Sequence, residues 1–344
     1  MALWLVRAGR SGEYESKFLS EGRIYLTWDD LSYDLSKLSN KKELYELLNK
    51  VYPNNKAGRI RNWASQIWPM AKEMKNGDWV ILPSKKKAAI HIGEITSDYI
   101  NTPDAENPYY HYRTVKWFAT DIPRSNFEQD ILYSLGAFMT ICRISRNDAE
   151  KRIKEMAKNN WKTIKDNAVK LNDKEGNLEE PTTFDLEQLA RDQIAKFIIR
   201  KFKGHGLARL VDAILQAQGY STFVSPEGPD KGVDILAAPG PLGFGSPRLC
   251  VQVKSGDSPL DRPTLDQLIG VMQNFSAEQG LLVSWGGFKS SVDKEIPNQF
   301  FRVRLWDQNA IINELLQHYD SLDEDIKAEI PLKRMWALAI SEDE

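Results

Sequence analysis

The sequence predicts a two-domain protein of the α+β and α/β classes, with an N-terminal β-barrel carrying helices and a C-terminal mixed sheet flanked by helices. Its 344 residues exceed the length of an average domain, and a hydrophobic content of 42% supports buried cores. The first part alternates short apolar runs with Gly-Asp and Pro turns, whereas the second part follows the order helix, hairpin, helix, strand. We therefore expect domains at residues 1–160 and 185–344, joined by a linker at residues 161–184.

The N-terminal domain is predicted from runs of strand-forming and helix-forming residues. The predicted strands are ALWLVRAG, GRIYLTW, GDWVILPS, AAIHIGEITSDYI, YYHYRTVKWFATDIP and FMTICRIS. Helical spacing occurs between the second and third strands, in KKELYELLNKVYP and AGRIRNWASQIWPMAKEM. Strands separated by tight turns, with helices inserted after the second strand, favour a small barrel.

The C-terminal domain is predicted to follow a charged, Asn-rich linker that carries Gly and Pro. Its first helix, in DLEQLARDQIAKFIIRKFKG, ends at Gly204, because glycine is a natural helix stop. Further helices are predicted in HGLARLVDAILQAQ, TLDQLIGVMQNFSAEQ, SSVDKEIPNQF and NAIINELLQHYDSL. Buried strands are predicted in GLLVSWGGF and VRLWD, in addition to a hairpin around Asp234 and Gln252.

Composition and charge limit where the protein acts and what it binds. A net charge of −2 argues against tight, indiscriminate coating of nucleic acid, because phosphate contact then depends on local patches. Cys142 and Cys250 lie in apolar runs, which is typical of reduced, buried thiols in an intracellular protein. Arg7 and Arg10 interrupt the apolar N-terminus, and no apolar run has the length of a membrane span. We expect a cytoplasmic protein with no membrane partner.

The hairpin of the C-terminal domain carries the most informative polar residues. In LCVQVK the two-residue period of a strand directs Leu249, Val251 and Val253 to one face. Cys250, Gln252 and Lys254 then point to the other face. If this strand pairs with the strand that follows Asp234, then Asp234, Gln252 and Lys254 converge. A carboxylate, an amide oxygen and an ammonium are costly to bury beside apolar strands, and a metal ion with a reacting phosphate is the usual reason. The alternative is an exposed Asp-Lys pair on an ordinary hairpin.

The same residues resemble a known nuclease family. GVDI and VQVK resemble the D-(x)n-(E/Q)xK core of the PD-(D/E)xK nucleases, in the Mrr-like, type IV restriction endonuclease branch. The spacing of Gly228, Asp230, Gly232 and Asp234 strengthens the resemblance, which covers roughly residues 195–310. One departure is Leu207-Ala208, which replaces a Phe-Glu pair found early in the preceding helix of many relatives.

The resemblance implies the chemistry of the hairpin. It implies that Asp234, the side-chain carbonyl of Gln252 and the backbone carbonyl of Val253 bind Mg²⁺, with Mn²⁺ as a substitute. Lys254 would hold or help deprotonate the attacking water. Asp230 is open to two interpretations, a turn residue or a group near the metal, and Glu227 has similar standing. The implied substrate is double-stranded DNA.

The N-terminal domain has a resemblance of its own. NGDWVILP followed by IHIGEI resembles the PUA-like group, close to EVE domains, which bind nucleic acids. Several such folds hold a flipped, modified base between aromatic walls. The candidate walls are Trp28, Trp63, Tyr99 and Trp117, although each can instead fill the core.

Two further residues of the C-terminal domain are candidates for contact with DNA. Lys289 and Ser290 follow a predicted central strand and either touch a phosphate or are simply solvated.

Together these resemblances imply a metal-dependent DNA endonuclease that restricts modified foreign DNA. Two alternatives are a catalytically weak nucleic-acid-binding sensor and an RNA-directed nuclease. Since one hydrolytic site cuts one strand, a double-strand break favours a homodimer or a higher oligomer.

Overall fold

The computed structural model describes residues 1–137, 139–162, 185–226 and 232–336. The chain divides into two compact units, and the division falls between Leu189 and Ala190. Residues 163–184 of the predicted linker lie outside the described residues, so the predicted domain boundaries stay a proposal. No helix among the described residues is long and apolar enough to cross a membrane.

The first unit contains seven strands and five α-helices within its described residues. In chain order they are β1 (Leu3–Val6), α1 (Glu15–Glu21), β2 (Arg23–Leu26), α2 (Lys41–Val51), α3 (Ala57–Trp68), β3 (Trp79–Pro83), β4 (Ala89–Ile95), β5 (Ile100–Asn101), β6 (His111–Pro123), α4 (Gln129–Leu135), β7 (Ile141–Arg143) and α5 (Ala149–Lys158). The predicted strands and the two predicted helices are confirmed. The short helices α1, α4 and α5 were not predicted, because each spans too few turns to show a long apolar period.

The sheet of the first unit is an open path rather than a closed barrel. Its strand order is β2-β6-β4-β3-β1-β7, with β5 beside β6, and within the described residues the edge strands β2 and β7 do not pair. The predicted barrel is therefore not confirmed. Packing explains the difference, since α1 lies against β2 and α3 lies against β7.

Both faces of this sheet are buried under helices. Trp4 and Val6 of β1 join a core with α2 and α3, whereas Leu3 and Leu5 join a second core with α4 and α5. A strand covered on both faces reads as a continuous apolar run, as LWLV does. The buried carboxylate of Asp78 then accepts hydrogen bonds from the Ala2 and Lys75 amides and from the Trp4 indole. Burial acts to raise the pKa of Asp78, but these hydrogen bonds hold it below its ordinary value.

The second unit is a mixed sheet with helices on both faces, as the sequence predicts. Its elements are α6 (Leu186–Lys201, which begins before the division), α7 (His205–Ala217), β8 (Tyr220–Val224), β9 (Ile235–Pro239), β10 (Leu249–Lys254), α8 (Arg262–Asn274), β11 (Gln279–Ser284), α9 (Ser290–Asp293), β12 (Val303–Trp306), α10 (Gln308–His318) and α11 (Glu324–Glu329). The strand order is β12-β11-β10-β9-β8. The β8, β9 and β10 strands pair antiparallel, and β10, β11 and β12 pair parallel.

Two cores cover the two faces of this second sheet. One core joins α6, α7 and α10 to Val251 and Val253, and the other joins α8 and α9 to Cys250. The alternation predicted for LCVQVK is therefore confirmed. Cys250 is buried as expected, whereas Cys142 of the first unit is only partly buried, and both thiols are free.

Candidate active site

The candidate site lies where β9 begins and β10 ends. These strands pair antiparallel, with Cys250 opposite Leu236 and Val251 opposite Ile235. Asp234 lies just beyond the last recorded pair, where its amide and carboxylate both bond the backbone of β10. Gln252 and Lys254, two residues apart on β10, share one face of the sheet. The convergence of Asp234, Gln252 and Lys254 on one site stays a prediction.

Asp234 is held by the backbones of both neighbouring strands. Its amide donates to the Val251 carbonyl at 2.9 Å, and its own carbonyl accepts from the Ser225 amide at 2.8 Å. Its carboxylate oxygen Oδ2 accepts from the Val253 amide at 2.7 Å. The carboxylate therefore continues the hydrogen-bonded ladder one step beyond the start of β9, at a position that β10 defines.

Gln252 carries a buried polar atom that has no hydrogen-bond partner among the described residues. The residue is 2% exposed, and its side-chain oxygen Oε1 is buried with no hydrogen-bond partner in the described part of the chain. A buried acceptor without a donor costs about 1–3 kcal/mol. A cation or a bound water at this position would remove that cost.

Lys254 ends β10 with an exposed side chain and a fixed backbone. Its carbonyl accepts from the Trp285 amide at 2.9 Å. The hydroxyl of Ser255 accepts from the Gly204 amide, just before α7, at 2.9 Å. The end of the strand is thus fixed from two sides while the ammonium stays in solvent. Trp285 and Gly204 act through backbone amides, so no sequence pattern marks them.

The oxygen atoms at this edge suit a hard divalent cation. The Val253 amide bonds the Asp234 carboxylate, and since the N–H and C=O of a strand residue point to the same side, the Val253 carbonyl is directed toward the Asp234 side as well. Mg²⁺ and Mn²⁺ prefer such oxygen ligands. In the described ranges there is no group of three or more His, Cys, Asp or Glu residues that could hold a metal.

Among the described residues, the neighbours predicted from the sequence supply no second acid. Burial raises the pKa of the Cys250 thiol to about 11, so that the thiol stays protonated at neutral pH and is a poor ligand. Leu207 and Ala208 on α7 are buried in the core, as befits apolar residues in place of a Phe-Glu pair. The candidates Glu227 and Asp230 lie outside the described residues.

Lys289 and Ser290 lie near the ends of β10 and β11. An isolated parallel bridge joins Leu260 to Phe288, which brings the segments after the two strands together. The Lys289 ammonium lies 3.6 Å from the Asp261 carboxylate. Ser290 opens a helix of only four residues, whose dipole is too short to favour an anion. Contact of these residues with DNA stays a prediction.

Two of the four aromatic candidates of the first unit use their polar atoms inside that unit. The Trp117 indole donates to the Phe18 carbonyl at 3.0 Å. The Tyr99 hydroxyl lies 2.6 Å from Nδ1 of His111 and accepts from the Leu35 amide at 3.1 Å. These contacts favour the core interpretation for Trp117 and Tyr99.

The state of His111 follows from its surroundings. Burial lowers the pKa of His111 to about 4, so its ring is neutral at physiological pH. Nε2 lies 2.5 Å from the Leu31 carbonyl and must donate to it, which leaves Nδ1 to accept from Tyr99.

The other two aromatic candidates are placed differently. The Trp63 ring meets Tyr52 edge-on at 5.0 Å and packs against the core. Trp28, in the loop after β2, is likewise partly buried and packs against the same core. This loop is fixed by its backbone, since Tyr52 donates to the Asp29 carbonyl at 2.6 Å and the Asp30 amide donates to the Asn107 side chain at 2.9 Å. Contact of Trp28 with a ligand stays a prediction.

Comparison with protein families gives one match to each unit. Residues 199–315 match the family model described as restriction endonuclease, of the Mrr catalytic type. Residues 4–144 match a domain of unknown function, DUF8426. The match to DUF8426 does not confirm the predicted PUA-like resemblance. No curated protein matches the chain.

Comparison with solved structures gives distant similarities. MspJI restriction endonuclease in complex with a 27-mer oligonucleotide is 13% identical, with 96% of this chain and 80% of that chain covered and a TM-score of 0.31. The DNA modification-dependent restriction endonuclease AspBHI is 12% identical, with 85% and 72% covered and a TM-score of 0.33. AF1548, a protein of unknown function, is 14% identical, with 33% of this chain covered and a TM-score of 0.25. This chain spans 65% of the length of AF1548. Scores at this level carry no argument about function.

If the oxygens of Asp234 and Gln252 bind a cation, Mn²⁺ should stabilise the second unit. At ten times its dissociation constant a ligand adds about 1.4 kcal/mol, which raises the melting temperature of a unit of this size by roughly 3–6 °C. We expect this shift in the full-length protein by differential scanning calorimetry, and its loss in Asp234→Ala. Asp266→Ala, which removes an exposed acid on α8, should keep it. An equal shift in Asp234→Ala would place the cation elsewhere.

Proposed function

We propose that this chain, whose residues 199–315 match the restriction endonuclease family model, is a metal-dependent endodeoxyribonuclease that acts in the cytoplasm. The observation that carries the proposal is the buried Oε1 of Gln252, which has no hydrogen-bond partner among the described residues and precedes the Val253 amide that holds the Asp234 carboxylate. In an ordinary surface hairpin such an oxygen would be exposed to water, because burial of an unsatisfied acceptor lowers the stability of the fold.

The residues divide the work of phosphodiester hydrolysis among them. Asp234, Gln252 and the Val253 carbonyl would hold Mg²⁺, or Mn²⁺ in its place. The bound cation would supply charge neutralisation at the phosphate. Lys254, free to move in solvent, would orient the attacking water and offset negative charge that develops on the phosphoryl oxygens. The Val253 amide keeps the Asp234 carboxylate in place during these events.

We assign the choice of target to the first unit. The Trp28 side chain stands on a loop that Tyr52 and Asn107 hold rigid, and a rigid aromatic surface suits the stacking of a flipped base. The whole protein would then be a modification-dependent restriction enzyme directed against foreign DNA. The PUA-like or EVE-like interpretation of this unit is part of the proposal.

One observation favours a second candidate function. Among the described catalytic candidates Asp234 is the single carboxylate, because Gln252 is neutral and Ala208 occupies the place of the helix acid. A site with weak metal affinity would suit a nucleic-acid-binding sensor. An RNA-directed nuclease is the other alternative, and an RNA duplex therefore belongs in the cleavage assay.

Asp234→Ala and Lys254→Ala should each reduce cleavage of modified plasmid DNA in Mg²⁺ by about a thousand-fold or more, because both groups act on the transition state. Gln252→Glu should keep cutting, since glutamate restores the commoner ligand. Asp266→Ala and Lys196→Ala, which remove exposed charges from the same unit, are the matched controls. Full activity in either site variant rules out this active site, and a wild-type protein that binds but never cuts supports the sensor.

Trp28→Ala should weaken the preference for modified DNA while cleavage chemistry survives. Loss of one stacking surface costs about 1–3 kcal/mol per base, so we expect the preference to fall by at least about five-fold. The assay compares matched plasmids that are unmodified, cytosine-methylated, hydroxymethylated or carry phage-type modifications. Phe118→Ala removes another exposed aromatic side chain of the first unit and should leave the preference unchanged. An unchanged preference in Trp28→Ala would reject this residue as the base-stacking wall.

The proposal also includes assembly on DNA. One site cuts one strand, so a double-strand break requires two sites of opposite polarity, most simply in a two-fold dimer. Light scattering with a modified duplex should therefore detect two copies or more, and a plasmid assay should give linear product. A monomer that produces only nicks would contradict the dimer and leave the chemistry of Asp234 and Lys254 intact.

A further inference from the structure

The loop before α1 holds a carboxylate on two successive backbone amides. The Arg10 amide donates to Oε1 of Glu13 at 3.3 Å, and the Ser11 amide donates to Oε2 at 2.8 Å. These donors precede the first residue of α1 by several positions, so they do not belong to the helix terminus. Two neighbouring amides that converge on one anion form the kind of backbone nest that also binds phosphate.

A glycine makes room for the carboxylate in this nest. Gly9 has a φ of +86°, and a Cβ built there would lie 2.3 Å from Cδ of Glu13. Any other residue would therefore collide with the bound group and would also be strained. The cradle has the two properties that anion-binding loops require, a glycine for close approach and amides directed at the anion.

Two cations of this region, Arg10 of the nest itself and Lys86, have no carboxylate partner among the described residues. The side chains of Arg10 and Lys86 are exposed, and neither forms an ion pair with a described residue. Lys86 lies beside the loop, since its Cγ is 3.6 Å from the Cβ position of Gly12 and its Nζ is 3.4 Å from the Ser16 hydroxyl. The neighbouring Lys85, in contrast, is paired with Asp185 at 2.6 Å.

Buried contacts fix the segment that carries Lys86. The Ser84 hydroxyl accepts from the amides of Lys86 and Lys87, at 3.1 and 3.0 Å, and donates to the buried Glu15 carboxylate at 2.9 Å. The cation is thus presented by a supported turn rather than by a loose loop, which reduces the entropy lost on binding.

We propose that the Gly9–Ser11 nest, with Arg10 and Lys86, binds a backbone phosphate of nucleic acid, and that Glu13 occupies the nest as an intramolecular substitute until the phosphate displaces it. A tethered carboxylate outcompetes a single dilute phosphate ion, because its effective concentration at the nest is high. A polyanion that makes several contacts at once displaces it. Because of this competition, the nest of the first unit binds a nucleic-acid chain and does not bind free phosphate.

The negative net charge of the protein makes local phosphate-binding sites such as this nest important for contact with nucleic acid. At −2 the chain has no general attraction for polyanions, so phosphate contacts must come from particular places. The choice of nucleic acid as the source of the phosphate rests on the proposed function. The nest, the cradle and the unpaired cations stand without it.

Removal of Glu13 should therefore tighten binding, the opposite of what the loss of a structural cap would do. For the full-length protein in a chelating buffer, where nothing is cut, we expect Glu13→Ala to bind a 30-base-pair duplex about three- to ten-fold more tightly than wild type. Glu13→Gln should show part of this gain, since it removes the charge but keeps a side-chain oxygen. Glu46→Ala, which removes an exposed acid on α2, controls for the change in net charge.

Second changes locate the gain in the nest. In the Glu13→Ala background, Lys86→Ala and Arg10→Ala should each lower affinity and reduce the salt dependence of binding by about one phosphate contact. Gly9→Ala in that background should remove the gain by placing a methyl group in the cradle. Inorganic phosphate at millimolar concentration should weaken duplex binding by Glu13→Ala more than by wild type.

Three results would overturn the proposal. These are a Glu13→Ala affinity equal to or below that of Glu46→Ala, a gain that survives Gly9→Ala, and a gain confined to inorganic phosphate with none for the duplex. Equal gains for RNA and DNA duplexes support a site that binds either backbone. Because binding is measured without cleavage, these results are separate from any failure of the proposed nuclease activity.

Discussion

The hydrogen bond from the Val253 amide to the Asp234 carboxylate is the contact on which the candidate active site depends. It joins the start of β9 to the end of β10 at the point where backbone pairing stops. A side-chain oxygen takes the place of the next backbone acceptor. The carboxylate is therefore positioned as precisely as a residue within a β-sheet, and more precisely than a residue in a loop. Gln252 and Lys254 then follow at fixed spacing on the same face. Parallel pairing with β11 anchors the other side of β10, which makes this strand the reference for the whole site.

The sequence predicts this part of the molecule well because the strand period is rigid. Alternation in LCVQVK decides which side chains share a face, whatever the surrounding fold, and antiparallel pairing with β9 brings Asp234 beside β10. The predicted barrel of the first unit was not confirmed for a related reason. LWLV is apolar on both faces, and such a run does not tell whether helices or a second layer of strands cover each face.

Contacts made by the backbone escape sequence analysis altogether. Trp285 and Gly204 fix the end of β10 through their amides, and any non-proline residue could supply such a donor. The position of the Glu13 carboxylate depends on the positive φ of Gly9 and on two backbone amides that converge on it. Aromatic residues show the converse limit. Tyr99 and Trp117 look like binding residues in the sequence, yet their polar atoms meet partners far along the chain.

Gln252 also changes the electrostatic balance of the edge at which a nucleic acid would arrive. With Asp234 at −1, Lys254 at +1 and a neutral amide between them, the formal charge of the three side chains is zero. A second acid in place of the amide would leave this edge negative before any cation arrived, and it would repel an approaching polyanion at short range. Under the proposed function, the neutral edge would let the polyanion bind first and then help to recruit the cation. Such a site would hold a metal ion weakly on its own and more tightly once a phosphate of the nucleic acid supplies a further oxygen.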